Sequence, residues 1–200
     1  MYEKGYIMLN LKVSEERTAR IHKDVRETLQ KFPNAILGGG AVRDAAYNNK
    51  IEDYDMFFKD RETMGEVAAW LDGERGYRCV FACPQGQLFT YKSFTGLKVQ
   101  LIGKRFYTDA EDLLDTFDFN ATRFATTGDC TVFVTDRAAI KDIKTMVLSL
   151  HNLEFPKATV NRLYKYRNKG YYVGHIIGEI LTWVNQLDDY DADEDAIYVD

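Results

Sequence analysis

Gly38-Gly39-Gly40-Ala41-Val42-Arg43-Asp44, followed after eight residues by Asp53-Tyr54-Asp55, is the stretch on which the reading of the whole chain turns. The apolar run Ala35-Ile36-Leu37 before it predicts a strand, the three glycines a tight turn, and Ala41 to Ala46 a helix. Glycines between a strand and a helix let the backbone approach a triphosphate closely, and the start of the helix points N–H groups and a positive dipole end at it. Arg43, in the first helical turn, is placed to add a charge-assisted contact to a phosphate oxygen. Residues i and i+2 of a strand project from one face, so Asp53 and Asp55 can share a metal cluster while Tyr54 packs behind the sheet. A glycine turn or a D-x-D pair alone says little; their combination at this spacing carries the reading.

Working outward, 200 residues with 46% apolar and 14% aromatic side chains can bury an ordinary core, enough for one domain and a small appendage. Met1 to Lys12 lacks the apolar stretch of a signal peptide, and no later run approaches the roughly 18 apolar residues of a membrane span. The expectation is a soluble, cytoplasmic protein with no membrane partner. Cys79, Cys83 and Cys130 form no C-x-x-C pair, so they imply neither a disulfide framework nor structural zinc and read as reduced core filler. A net charge of -5 argues against a surface that grips nucleic acid all over. Asp188, Asp189, Asp191, Asp193, Glu194, Asp195 and Asp200 cluster at the end, leaving 26 basic against 24 acidic side chains before them. That acidic tail, 188–200, is either a solvated end or a segment that binds a protein partner.

Apolar spacing predicts one amphipathic helix from Val13 to Phe32, capped by Ser14 and stopped at Pro33. Strands are expected at Tyr54 to Phe58, Tyr77 to Phe81, Leu88 to Tyr91, Leu97 to Ile102 and Thr131 to Val134. Helices are expected at Glu62 to Leu71, Ala110 to Leu114, Asp136 to Ile143, from Pro156 to a stop at Gly170, and from Val173 to Leu187. The fold class is α+β: a small mixed sheet flanked by helices over residues 1–150, a helical extension over 151–187, then the tail.

Gly39-Gly40-x-Val42-Arg43-Asp44 and the spaced Asp53-x-Asp55 resemble the signature of class II CCA-adding tRNA nucleotidyltransferases and bacterial poly(A) polymerases, members of the polymerase β-type superfamily. Asp118-Phe119-Asn120-Ala121 looks like a remnant of that family's ribose-contacting R-R-D-F-T-I-N-A segment, with Thr116 and Phe117 in place of the arginines. Gly128 to Lys144 is similar to the segment closing the family's head domain, and Arg162-Leu163-x-Lys165-Tyr166-Arg167 to its R-L-L-R-A-x-R-F helix. The resemblance implies a polymerase β-like head in which Asp53 and Asp55 hold Mg²⁺ or Mn²⁺ and are the catalytic residues. Gly39, Gly40, Arg43, Asp44, Asp118 and Asn120 would then bind a nucleoside triphosphate, ATP or CTP. Asp44 either orients Arg43, touches the nucleotide, or simply favours a first helical turn. Asp118 contacts the ribose, lends a third carboxylate, or caps a turn. The usual third-carboxylate position falls on Gln100, an amide that cannot deprotonate a hydroxyl.

Arg162, Lys165 and Arg167, interleaved with tyrosines, either contact RNA or a base or form a solvated helix face. His22, His151 and His175 share no metal-ligand spacing and read as structural or solvated. The function expected is metal-dependent transfer of a nucleoside monophosphate from a nucleoside triphosphate to a hydroxyl acceptor, an RNA or tRNA end. Gln100 and the missing arginines leave open a weakened relative that binds nucleotide, RNA or a protein without turnover; a protein or small-molecule acceptor is the third reading.

Overall fold

A computed structural model describes residues 8–184. The acidic tail therefore lies outside the described residues, as does the end of the last expected helix. The chain runs β1 (Met8–Lys12), α1 (Glu15–Arg20), α2 (Lys23–Lys31), β2 (Ala35–Gly38), α3 (Gly40–Ala46), β3 (Tyr54–Phe58) and α4 (Arg61–Ala69). After a wide turn over Trp70–Glu74 come β4 (Arg78–Ala82), β5 (Leu88–Lys92), β6 (Lys98–Ile102) and α5 (Ala110–Asp115). A single 3₁₀ turn, Asn120–Thr122, leads into β7 (Phe124–Thr126), β8 (Val132–Asp136), α6 (Arg137–Thr145), α7 (Pro156–Asn168) and α8 (Gly174–Val184).

The strands form one mixed sheet in the order β1-β8-β7-β2-β3-β6-β5-β4, with β3 and β6 parallel and the other neighbours antiparallel. The α+β class stands, but eight strands make a larger sheet than the one expected. The two additions are β1 and β7. β7 has three residues, too few to show a period, and β1 is defined by its pairing with the distant β8.

The expected helix over Val13–Phe32 is two helices. Ser14 caps α1 by accepting from the Arg17 N–H, as its position suggested, but Ile21 and His22 leave the helical conformation. The His22 ring then caps α2 by accepting from the Asp24 N–H, and the His22 N–H donates to the Tyr54 hydroxyl. A tertiary partner at the break thus replaces the backbone bonds a continuous helix would supply.

Side-chain alternation along the sheet fixes both layers. Leu37, Met56, Phe58, Val99 and Leu101 face the helices α2, α3 and α4, where Val25, Leu29, Val42, Met64 and Val67 complete the main core. Ile36, Phe57 and Ala125 face the other way, towards Leu113 and Leu114 of α5. A third cluster joins Leu163 and Tyr166 of α7 and Ile176 and Ile180 of α8 to Phe119, Ala121 and Leu148. The last two helices are therefore seated on the sheet-bearing part through apolar contact. Cys83 and Cys130 are buried as expected; Cys79 is exposed, because β4 is an edge strand. Among the described residues no helix is long and apolar enough to cross a membrane.

Candidate active site

The period of two that buries Tyr54, Met56 and Phe58 on one face puts Asp53, Asp55 and Phe57 on the other. Asp55 is opposite Gly38 on β2 and beside Gln100 on β6. These residues meet the glycine turn at one cleft of about 470 Å³, lined by Gly39, Gly40, Arg43, Asp44, Asp53, Asp55 and Gln100. Leu88, Phe57, Ile102, Tyr107 and Phe117 make its apolar wall, and Asp118, Lys104, Arg162, Lys165 and Lys169 its polar one.

Gly39 is the hinge of the turn. Its φ of 76° with ψ of -140° is a conformation other residues rarely adopt, and a Cβ there would lie 3.9 Å from Asp55 Oδ2. The carboxylate and the turn thus face each other across little more than one atom's width. Gly39→Ala would meet ordinary contacts but a strained backbone. It should lower stability by about 1–3 kcal/mol, checked by denaturant unfolding.

Arg43 is almost fully buried, and its hydrogen bonds fix its orientation. Nε and Nη2 donate to the two Asp44 carboxylate oxygens at 2.8 and 2.9 Å, and Nη1 donates to the Tyr166 hydroxyl at 2.9 Å. Of the roles open to Asp44, holding Arg43 is the one its hydrogen bonds show; its carboxylate also lines the cleft. Burial pushes the Tyr166 phenol above its usual range, so it remains protonated beside the guanidinium. Asp118 receives Arg162 Nε at 2.6 Å and its own neighbour's Phe119 N–H at 2.9 Å. The first of these contacts ties α7 to the cleft; the second is local, and the 3₁₀ turn that follows has Phe119 at its cap position and no side-chain capping bond.

Two expected site residues lie elsewhere. Asn120 does not line the cleft: its side-chain oxygen accepts from Arg123 Nη1 at 3.4 Å, and its N–H donates to the Ser149 carbonyl. Arg167 is exposed and outside the cleft, because helical geometry groups 162, 165, 166 and 169 on one face and turns 167 away. The same periodicity could have singled out Tyr166, four residues after Arg162. Lys98 was also missed. It precedes Gln100 by two residues, so it shares the face of β6 that adjoins β3, and its Nζ lies 3.3 Å from Asp53 Oδ2.

The donor set suits a divalent metal of one kind. Two carboxylates on one strand face match a hard ion that takes one or two protein ligands and completes its shell with water and phosphate oxygens. Among the described residues no group of three His, Cys, Asp or Glu side chains forms a metal cage. Asp53 and Asp55 are the residues that could hold such an ion.

Sheet, glycine turn and aspartate pair together define a polymerase β-type nucleotidyltransferase fold resembling the head of the CCA-adding enzymes. The Thermotoga maritima CCA-adding enzyme complexed with tRNA superposes with a TM-score of 0.65 at 17% identity, over 86% of this chain and 45% of that one. A CCA-adding enzyme in complex with ATP gives a TM-score of 0.66 at 16% identity, over 86% and 45% of the two chains. Within this fold class the chain belongs to the Gabija anti-defense 2 family, which it matches over residues 9–146. A family relative, Gabija anti-defense 2 of Bacillus phage SPbetaL7, is 26% identical over 154 residues, 76% of this chain and 37% of its own length. The chain thus spans little more than a third of that relative and under half of either enzyme.

Proposed function

We propose that this chain is a metal-dependent nucleotidyltransferase that moves a nucleoside monophosphate from ATP or CTP to a hydroxyl, with an RNA or tRNA end as acceptor. The convergence of Asp53, Asp55, the Gly39-Gly40 turn and Arg43 on one cleft is the observation that carries the reading. The tRNA and ATP bound by the fold neighbours support the choice of acceptor and donor to test. The part over 1–150 supplies turn and aspartates, and the extension over 151–187 closes the cleft with Arg162, Lys165 and Tyr166. The reaction would take place in the cytoplasm and, as the family's description suggests, serve to counter Gabija defence.

In this reading Gly39 and Gly40 admit the β- and γ-phosphates to the backbone, and Arg43, clamped by Asp44 and Tyr166, presents its charge without a reorganisation cost. Asp53 and Asp55 would hold the divalent ion, which supplies charge neutralisation at the phosphates and a lowered acceptor pKa. Phe57, Ile102, Phe117 and Tyr107 give the base an apolar wall, while Asp118 orients Arg162 at its edge. Gln100 favours a second reading, a nucleotide-binding module without turnover, because no carboxylate stands beside Asp55 on β6 to take the acceptor proton.

Incubating the chain with α-labelled ATP or CTP, Mg²⁺ or Mn²⁺, and separate tRNA, total RNA and protein fractions discriminates these. Metal-dependent label in RNA is the expected result. Label in protein would replace the acceptor, and a folded chain that retains nucleotide yet labels nothing would favour the binding module.

A further inference from the structure

The parallel register that sets Asp55 beside Gln100 brings Lys98 alongside Asp53, on the same face of the sheet. Lys98 does not itself line the cleft but pairs with Asp53, which does, and the two side chains are largely shielded from solvent, with exposures of 25% and 31%. The Gln100 amide donates to Thr90 Oγ1 at 3.4 Å, which commits its nitrogen to the neighbouring strand and leaves the position neutral. The four side chains where β3 meets β6 thus carry two negative charges, one positive and one neutral group. Two divalent ions would bring four positive charges to a surface whose net charge is a single negative one, and the ammonium would repel whichever ion approached Asp53.

We propose that Lys98 stands in for one of the two cations, so that this floor takes a single divalent ion and takes it together with a triphosphate rather than alone. The inference rests on the reading of the cleft as a nucleoside triphosphate site. It assigns Lys98 as a positioning residue: the ammonium holds Asp53, sets the charge of the floor and fixes the number of ions it admits. Gln100 cooperates by withholding the third carboxylate.

Mn²⁺ titrations followed by electron paramagnetic resonance test this with the full chain, alone and with ATP and CTP analogues whose α–β bridging oxygen is a methylene. The native chain should bind Mn²⁺ weakly without nucleotide and hold one ion per bound nucleotide. Lys98→Gln should tighten nucleotide-free Mn²⁺ binding by on the order of tenfold, and Lys98→Gln/Gln100→Glu should admit a second ion. Lys98→Arg retains the charge and should keep the native count, with thermal melts confirming that each variant is folded. Two ions per nucleotide in the native chain, or a second ion in Lys98→Arg, would overturn the role of Lys98 and leave the triphosphate site intact. A native chain that binds neither analogue would overturn both.

Discussion

Asp55→Asn is expected to lower nucleotidyl transfer by on the order of a hundred- to a thousandfold while the protein stays folded. Asparagine has the same shape, and the strand around it is held by pairing to Gly38 on one side and Gln100 on the other. What changes is the charge facing Gly39, where a Cβ would come within 3.9 Å of the carboxylate oxygen. A neutral amide oxygen binds a hard divalent ion far less well than a carboxylate. Single-turnover assays beside a thermal melt check the claim. A variant that transfers within tenfold of the native rate would remove Asp55 from the machinery and leave the cleft a binding site.

Arg123→Met should cost about 3–5 kcal/mol, the largest stability effect of any single change considered. Arg123 has no solvent exposure. Nε donates to the Leu114 carbonyl at 3.0 Å, Nη2 pairs with Asp115 at 3.0 Å, Nη1 reaches the Asn120 oxygen at 3.4 Å, and the guanidinium pairs with the buried Asp136 carboxylate. One side chain therefore joins α5, the 3₁₀ turn, and the junction of β8 with α6. Methionine fills similar volume, so most of the loss is the stranded charge of Asp136 rather than a cavity. Asp136 also caps α6 through the Ala139 N–H at 2.8 Å, a role asparagine can perform. Arg123→Met/Asp136→Asn should therefore recover a large part of the loss, and denaturant titrations over the full cycle measure it. Additive effects would show that the pair is not what fails.

The parts of the molecule governed by local chemistry were open to reading in the residues themselves. Ser14 as a cap, the helix beginning at Asp136, Pro156 at the start of α7, Gly170 at its end, and the strand from Tyr54 all follow from neighbours a few positions away. The glycine turn and the two aspartates were legible because strand period and turn chemistry place them without reference to the rest of the chain. Features decided by distant partners were not. Nothing near His22 announces that a tyrosine hydroxyl on β3 will receive its N–H and break a helix. β7 becomes a strand only by insertion between β2 and β8. Arg123 reads as one more surface charge until four segments close over it. Asn120 matched a motif in letters, but the two-residue spacing from Asp118 turns it towards Arg123 instead of the cleft.

Tyr166 and Arg162 give a cut made near residue 150 an asymmetric consequence. A fragment ending there would keep the glycine turn and both aspartates, yet it would strip Arg43 of its phenol partner and Asp118 of its guanidinium. Such a piece would also expose the apolar side of Phe119 and Leu148 that α7 and α8 now cover. Affinities measured on it would describe a different, looser receptor, and grafting these two helices onto a related head would carry over Arg162, Lys165, Tyr166 and Lys169 of the cleft's lining together with the apolar seat that holds them.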